Sequence, residues 1–174
     1  MKYIKLHKAI SDRVRQYQIS EIQQLTQQFS HSFFANLATQ QRTYQLCYLA
    51  LFLDKHRKAH SSFGEPLLGR RCLHHLLITK YNVSILEVTK INLSQALLLL
   101  QNDLKNFEVQ NPLEIGLSPK QLCENIRSDY PYWTEDIVSS HSQFTNVYDE
   151  EFPFDEFHSL VNNQEYDLAR EFFL

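Results

Sequence analysis

Three glycines in 174 residues, at Gly64, Gly69 and Gly116, constrain this chain more than any other feature. Sandwiches and barrels need glycine at frequent tight turns, and doubly wound α/β folds need it where one backbone passes close to another. A chain so poor in glycine and rich in Leu and Gln favours helices joined by short polar connections. Proline agrees, since all five lie at or beyond Pro66 and leave a long N-terminal stretch without a helix breaker. The expectation is an all-α fold: one domain over residues 1–174, built as an irregular bundle of about seven or eight helices with little or no sheet. At this length a hydrophobic core forms without help from disulfides or metal.

Periodicity places the helices. Leu6, Ile10, Val14 and Tyr17 recur at three- and four-residue steps, and Ser20-Glu21 offers a restart before the stripe Ile22, Leu25, Phe29. From Phe33 to His56 a longer helix contains Leu46–Leu53, apolar nearly all round and therefore expected at the centre of the bundle. Ser61–Gly69 is the clearest loop, followed by a helix from Arg70 to Tyr81 with Leu73, Leu76 and Leu77 inward. Ile85, Val88 and Ile91 read as a short helix or turn, and another helix begins near Asn92 or Ser94. Ser118-Pro119 is a cap and first helical residue, Thr134 caps a short helix, and Pro153 opens one holding Phe154, Phe157, Leu160 and Val161. A last helix carries Tyr166 and Ala169. The stretch 139–174 is expected to be the most loosely packed.

The charge distribution is the strongest functional clue. Residues 1–80 hold twelve Lys/Arg against four Asp/Glu, whereas residues 81–174 hold five against sixteen. From Ser128 onward there are eleven acids and one base, Arg170. Between Lys55 and Lys80 lie six Lys/Arg, four His and one acid, Glu65. Such a split calls for an anionic partner, a cationic partner, or pairing of one half with the other.

Several chemistries are weighed against this background. Cys47, Cys72 and Cys123 are widely spaced and flanked by apolar residues, as buried reduced thiols are. His56 and His60, then Cys72, His74 and His75, have spacings that can ligate zinc, but five Lys/Arg around them oppose a dication, and no metal or other cofactor is expected. The same residues read better as an anion-attracting patch, with Arg70 above His74 and Arg71 above His75 on a helix. Arg70-Arg71-Cys72-Leu73-His74-His75 resembles the Arg-x4-His spacing of the helical HEPN ribonucleases over six residues. That resemblance implies a phosphate-stabilising Arg and a His assisting attack by the ribose hydroxyl. Nucleophile-elbow and Gly-rich phosphate-loop motifs are missing from the sequence, so enzymatic function is the minority reading.

The acidic third interleaves rings and carboxylates, and the candidate partner-binding residues are Trp133, Glu135, Asp136, Tyr148, Asp149, Glu150, Glu151, Phe152, Asp155 and Glu156. Aromatic anchors beside carboxylates suit a basic protein partner. The leading expectation is thus a non-enzymatic, cytoplasmic protein–protein interaction module with an acidic, aromatic surface. One such role is a bacterial immunity or antitoxin-like protein neutralising a basic nuclease toxin. The alternative is a nucleic-acid-binding or HEPN-like protein using Arg70, Arg71, His74 and His75. No membrane partner is expected, because the longest apolar runs are far shorter than a bilayer span.

Overall fold

The computed structural model describes residues 3–29, 33–62, 66–107 and 144–161. These residues form six α-helices: α1 (Ile4–Tyr17), α2 (Ile19–Phe29), α3 (Phe33–His60), α4 (Arg70–Tyr81), α5 (Ile85–Val88) and α6 (Leu93–Asn106). A 3-10 turn at Asp149–Glu151 and a helical turn at 157–161 follow, and no strand occurs among the described residues. The fold is an all-α bundle. The expected elements after Pro112 and before residue 144, and the last helix at Tyr166 and Ala169, lie outside the described residues.

The long helix α3 is the axis. Its 28 residues run about 42 Å, and α1, α2, α4 and α6 all pack against it. Leu46, Cys47, Leu49, Ala50 and Leu53 are fully buried on it, as the all-round apolar pattern demands. Its polar first half still buries Thr39 and Thr43, because each hydroxyl donates to the carbonyl four residues earlier, at 2.8 and 2.7 Å. Leu6, Ile10 and Val14 form the inward stripe of α1, whereas Tyr17, expected to continue it, is at the surface. Gln18 is buried in its place.

Local chemistry sets the boundaries. Asn82 adopts the left-handed conformation at φ 53° and ends α4, a role Asn tolerates better than most residues. Asn92 starts α6 with a capping box: its side chain accepts from the Gln95 amide at 2.9 Å while Gln95 accepts from the Asn92 amide at 3.1 Å. Gly69 precedes α4 at φ 57°, and a side chain there would meet the Asp155 carboxylate at 3.2 Å. Of Ile85, Val88 and Ile91, read as a short helix or turn, Val88 is buried, Ile91 is half-buried against the core and Ile85 points to solvent. One turn of helix has too narrow a face to bury all three.

The acidic segment at 144–161 completes this core. Phe144, Phe152, Phe157 and Val161 are buried in the cluster formed by α1, α3, α4 and α6, and Phe152 packs its ring against both Phe154 and Phe157. Phe157→Ala is expected to lower stability by about 3–5 kcal/mol in urea unfolding. The Ile85→Ala control, at a residue 72% exposed, should stay within about 0.5 kcal/mol.

Candidate interaction surfaces

Three arginines of the basic half receive the acidic segment. At the deepest contact Glu151, fully buried, accepts from Gln18 Nε2 at 2.5 Å, from Arg42 at 3.3 Å and from the Tyr148 amide at 3.1 Å. Gln18 also donates to the Asn146 carbonyl at 2.8 Å and Arg42 to the Phe144 carbonyl at 3.3 Å. Burial pushes the Glu151 carboxyl above its ordinary range despite Arg42, and burial lowers Arg42 despite Glu151. Desolvation therefore outweighs what favours the charged Glu151, of which the attraction of Arg42 is the largest part, followed by the hydrogen bonds from the Tyr148 amide and Gln18.

The second contact joins three elements. One Asp149 oxygen accepts from the Leu93 amide, the first of α6, and the other binds Arg70 at 2.6 Å. A carboxylate there also meets the positive end of the helix dipole. Arg70 donates further to the Ile91 carbonyl at 2.9 Å and lies over the Phe154 ring at 5.1 Å. The third contact is the surface pair of Arg13 with Glu156; Arg13 also reaches the Glu150 carbonyl. Finally, Glu21 of α2 accepts four hydrogen bonds from Thr145 and Asn146. Burial raises its pKa, but these four bonds outweigh burial and leave the carboxyl below its ordinary value.

The expected acidic surface therefore divides. Glu151 and Phe152 are interior residues and cannot meet a partner, which corrects the expectation for both. Asp149 is half-buried and committed to Arg70 and α6. Tyr148, Glu150, Asp155 and Glu156 stay exposed, with Glu156 tied to Arg13. Trp133, Glu135 and Asp136 lie outside the described residues.

The basic patch divides as well. Positions 70 and 75 are about 140° apart around a helix, so the Arg-x4-His pair is not brought together: Arg70 faces Asp149, and His75 faces α3. Burial and the neighbouring Arg70 lower the pKa of half-buried His74, while Arg71 is exposed. What the fold does assemble is a trio. His56 Nε2 lies 2.9 Å from His75 Nδ1, and the His60 ring centroid is 4.4 Å from that of His56. Cys47 and Cys72 are buried free thiols, their pKa values raised by burial, that of Cys72 to about 12. No group of three or more His, Cys, Asp or Glu suited to a metal ion occurs among the described residues.

Neither half of the sequence pointed to a third surface. Leu97–Leu100 is a run of four leucines, and a helix can bury only one face of it: Leu97 and Leu100 go inward, Leu98 and Leu99 outward. With Ile85 and Leu86 of α5, 72% and 80% exposed, they leave apolar side chains in water. A groove of about 440 Å³ between the two helices is lined by Glu87, Lys90, Ile91, Gln95, Leu98 and Leu99. The unbroken Leu run was the available signal.

No protein-family model matches the chain, and no curated protein or solved structure shows significant similarity to it. Among the described residues no helix is long and apolar enough to cross a membrane.

Removing one member of the buried knot strands a charge. Arg42→Ala is expected to cost about 3–5 kcal/mol, against less than about 1 kcal/mol for Arg13→Ala at the surface pair, measured by denaturant unfolding at neutral pH. Glu21 has a definite pH signature. Its folded pKa is depressed, so its contribution is present above the unfolded carboxyl range and lost as pH falls through the folded value. The deficit of Glu21→Gln relative to the parent is therefore expected to be full at pH 7 and to vanish in strong acid.

Proposed function

We propose that the protein is a non-enzymatic helical interaction module that docks a partner protein through the apolar α5–α6 face. The exposure of Ile85 and Leu86 on α5 and of Leu98 and Leu99 on α6, the latter two lining the groove, carries this reading. Scattered surface leucines need no explanation, but a cluster of them beside a groove is what association surfaces present. The groove is lined mainly by apolar carbons, with Glu87 and Lys90 also among its lining residues. Those dimensions and that chemistry suit the apolar stripe of an amphipathic helix, whose leucine-sized side chains fill the groove while its polar flank meets the two charges.

This keeps the class of function read from the sequence and moves its surface. A basic partner remains part of the proposal through Tyr148, Glu150 and Asp155, which together with Glu156 form the outward remainder of the acidic segment. Among the described residues, neutralisation of a basic nuclease toxin, as by an immunity or antitoxin-like protein, would rest on that remainder. Phosphate binding by the basic half is less well supported, because Arg13, Arg42 and Arg70 already hold carboxylates of the chain itself.

The two surfaces are separated by substitution. With a captured partner in hand, Leu86→Asp combined with Leu98→Asp is expected to weaken binding at least a hundredfold, with stability changed by less than about 0.5 kcal/mol because both residues are solvent-exposed. Charge reversal at Glu150 and Asp155 should change affinity by less than tenfold. Binding that survives the leucine variant and is lost on charge reversal would transfer the interface to the acidic strip.

A further inference from the structure

Three imidazoles from two helices meet where the end of α3 packs on α4. His56 and His60 are one turn apart on α3 and share a face, and His75 approaches from the second turn of α4. The three ring centroids lie 4.4, 5.1 and 5.7 Å apart, and the ring nitrogens of His56 and His75 are in hydrogen-bond contact at 2.9 Å. A bond between two imidazole nitrogens needs one N–H and one lone pair. The pair therefore tolerates a single proton beyond neutrality and breaks when both rings are protonated, and a charged His60 against the same ring adds repulsion.

We propose that His56, His60 and His75 form a proton-sensitive latch that clamps the C-terminal end of α3 to α4 at neutral pH and releases it in acid. The inference is independent of the docking surface on α5 and α6. Every charge acting on His56 pushes in one direction. Beyond burial, which comes first, His60 of its own helix and His75 and Lys80 of α4 all disfavour its protonated form, holding its pKa at about 4. Among the described residues, the carboxylates on the elements packed here are already engaged: Asp54 of α3 by Arg57 and Lys58, and Asp103 of α6 by Lys80 and Tyr81. The remaining cations nearby are Lys55, which lies over the Phe107 ring, and Arg71, one turn before His75.

The direction of the pH response follows. In the packed state His56 takes a proton only near pH 4, whereas in an opened joint it behaves as an ordinary histidine near 6.5. The packed state thus holds its full advantage above about pH 6.5 and loses it as pH falls toward 4. One extra proton bound on opening shifts the packed-to-opened ratio by roughly thirtyfold between about pH 7.5 and pH 5. His7 and His74 are also depressed by burial, so global unfolding in acid has several sources and the latch must be read locally.

Native-state hydrogen exchange, corrected for the intrinsic pH dependence of amide exchange, supplies that local readout. Protection of the α4 amides is expected to fall about thirtyfold more than that of the α1 amides from about pH 7.5 to pH 5. In the double variant His56→Gln with His75→Gln, whose neutral amides can still pair, the difference should shrink to within about threefold. Equal loss of protection in α1 and α4, or an undiminished difference in the variant, would overturn the proposal. Should the variant fail to fold, the wild-type histidine ring resonances decide. A His56 titration below pH 5 supports the latch, and a His56 titration near pH 6.5 sinks it.

Discussion

The buried knot of Glu151, Arg42 and Gln18 is the contact on which the arrangement of this protein depends. It ties the acidic segment to the junction of α1 with α2 and to the wall of α3, and it seats Phe144 and Phe152 on either side. In energetic terms the ion pair is an unfavourable way to fill space, since burial works against both charges. Its contribution lies in specificity. In the observed placement Glu151 has three donors, and a buried carboxylate left without them would be costly.

The charge split of the sequence takes on a different meaning in this light. Arg13, Arg42 and Arg70 come from three separate helices of the basic half, and Glu156, Glu151 and Asp149 come from eight consecutive residues of the acidic half. The opposite signs serve, at least at these positions, to hold one end of the chain on the other. Apolar burial supplies most of the stabilisation, through Phe152 and Phe157 above all, while the charges select the register. The surface pair of Arg13 with Glu156 is screened and weak beside the buried one.

How much of this was legible beforehand depends on the range of the interaction. Local signals read well: α4 begins and ends where Arg70 and Tyr81 suggested, and Leu46–Leu53 is central, because periodicity and capping are properties of neighbours in sequence. Long-range pairing did not read. Nothing in the vicinity of Glu151 announces that it is buried, since it sits in a run of three acids and its side-chain partners, Gln18 and Arg42, lie more than a hundred residues away. Tyr17 and Gln18 show the same limit, because a spacing rule favours the tyrosine for the interior, and the knot requires the glutamine. Arg70 and His75 looked paired in one dimension, but the pitch of a helix aims them at different neighbours.

The distances along the chain carry one more consequence. Arg42 and Glu151 are 109 residues apart, and Arg13 and Glu156 are 143 apart. Closing a loop of that length costs about 4 kcal/mol of chain entropy before any contact rewards it, and folds built on such separations assemble slowly. The first three helices can form as soon as they are synthesised, yet the side of α1 and α3 that receives Phe152 and Phe157 stays open until those residues emerge from the ribosome. Maturation of this protein is therefore timed by the arrival of its acidic segment, and a chain interrupted before residue 144 would leave Arg13, Arg42 and Arg70 without these carboxylates and the apolar seat of Phe152 exposed.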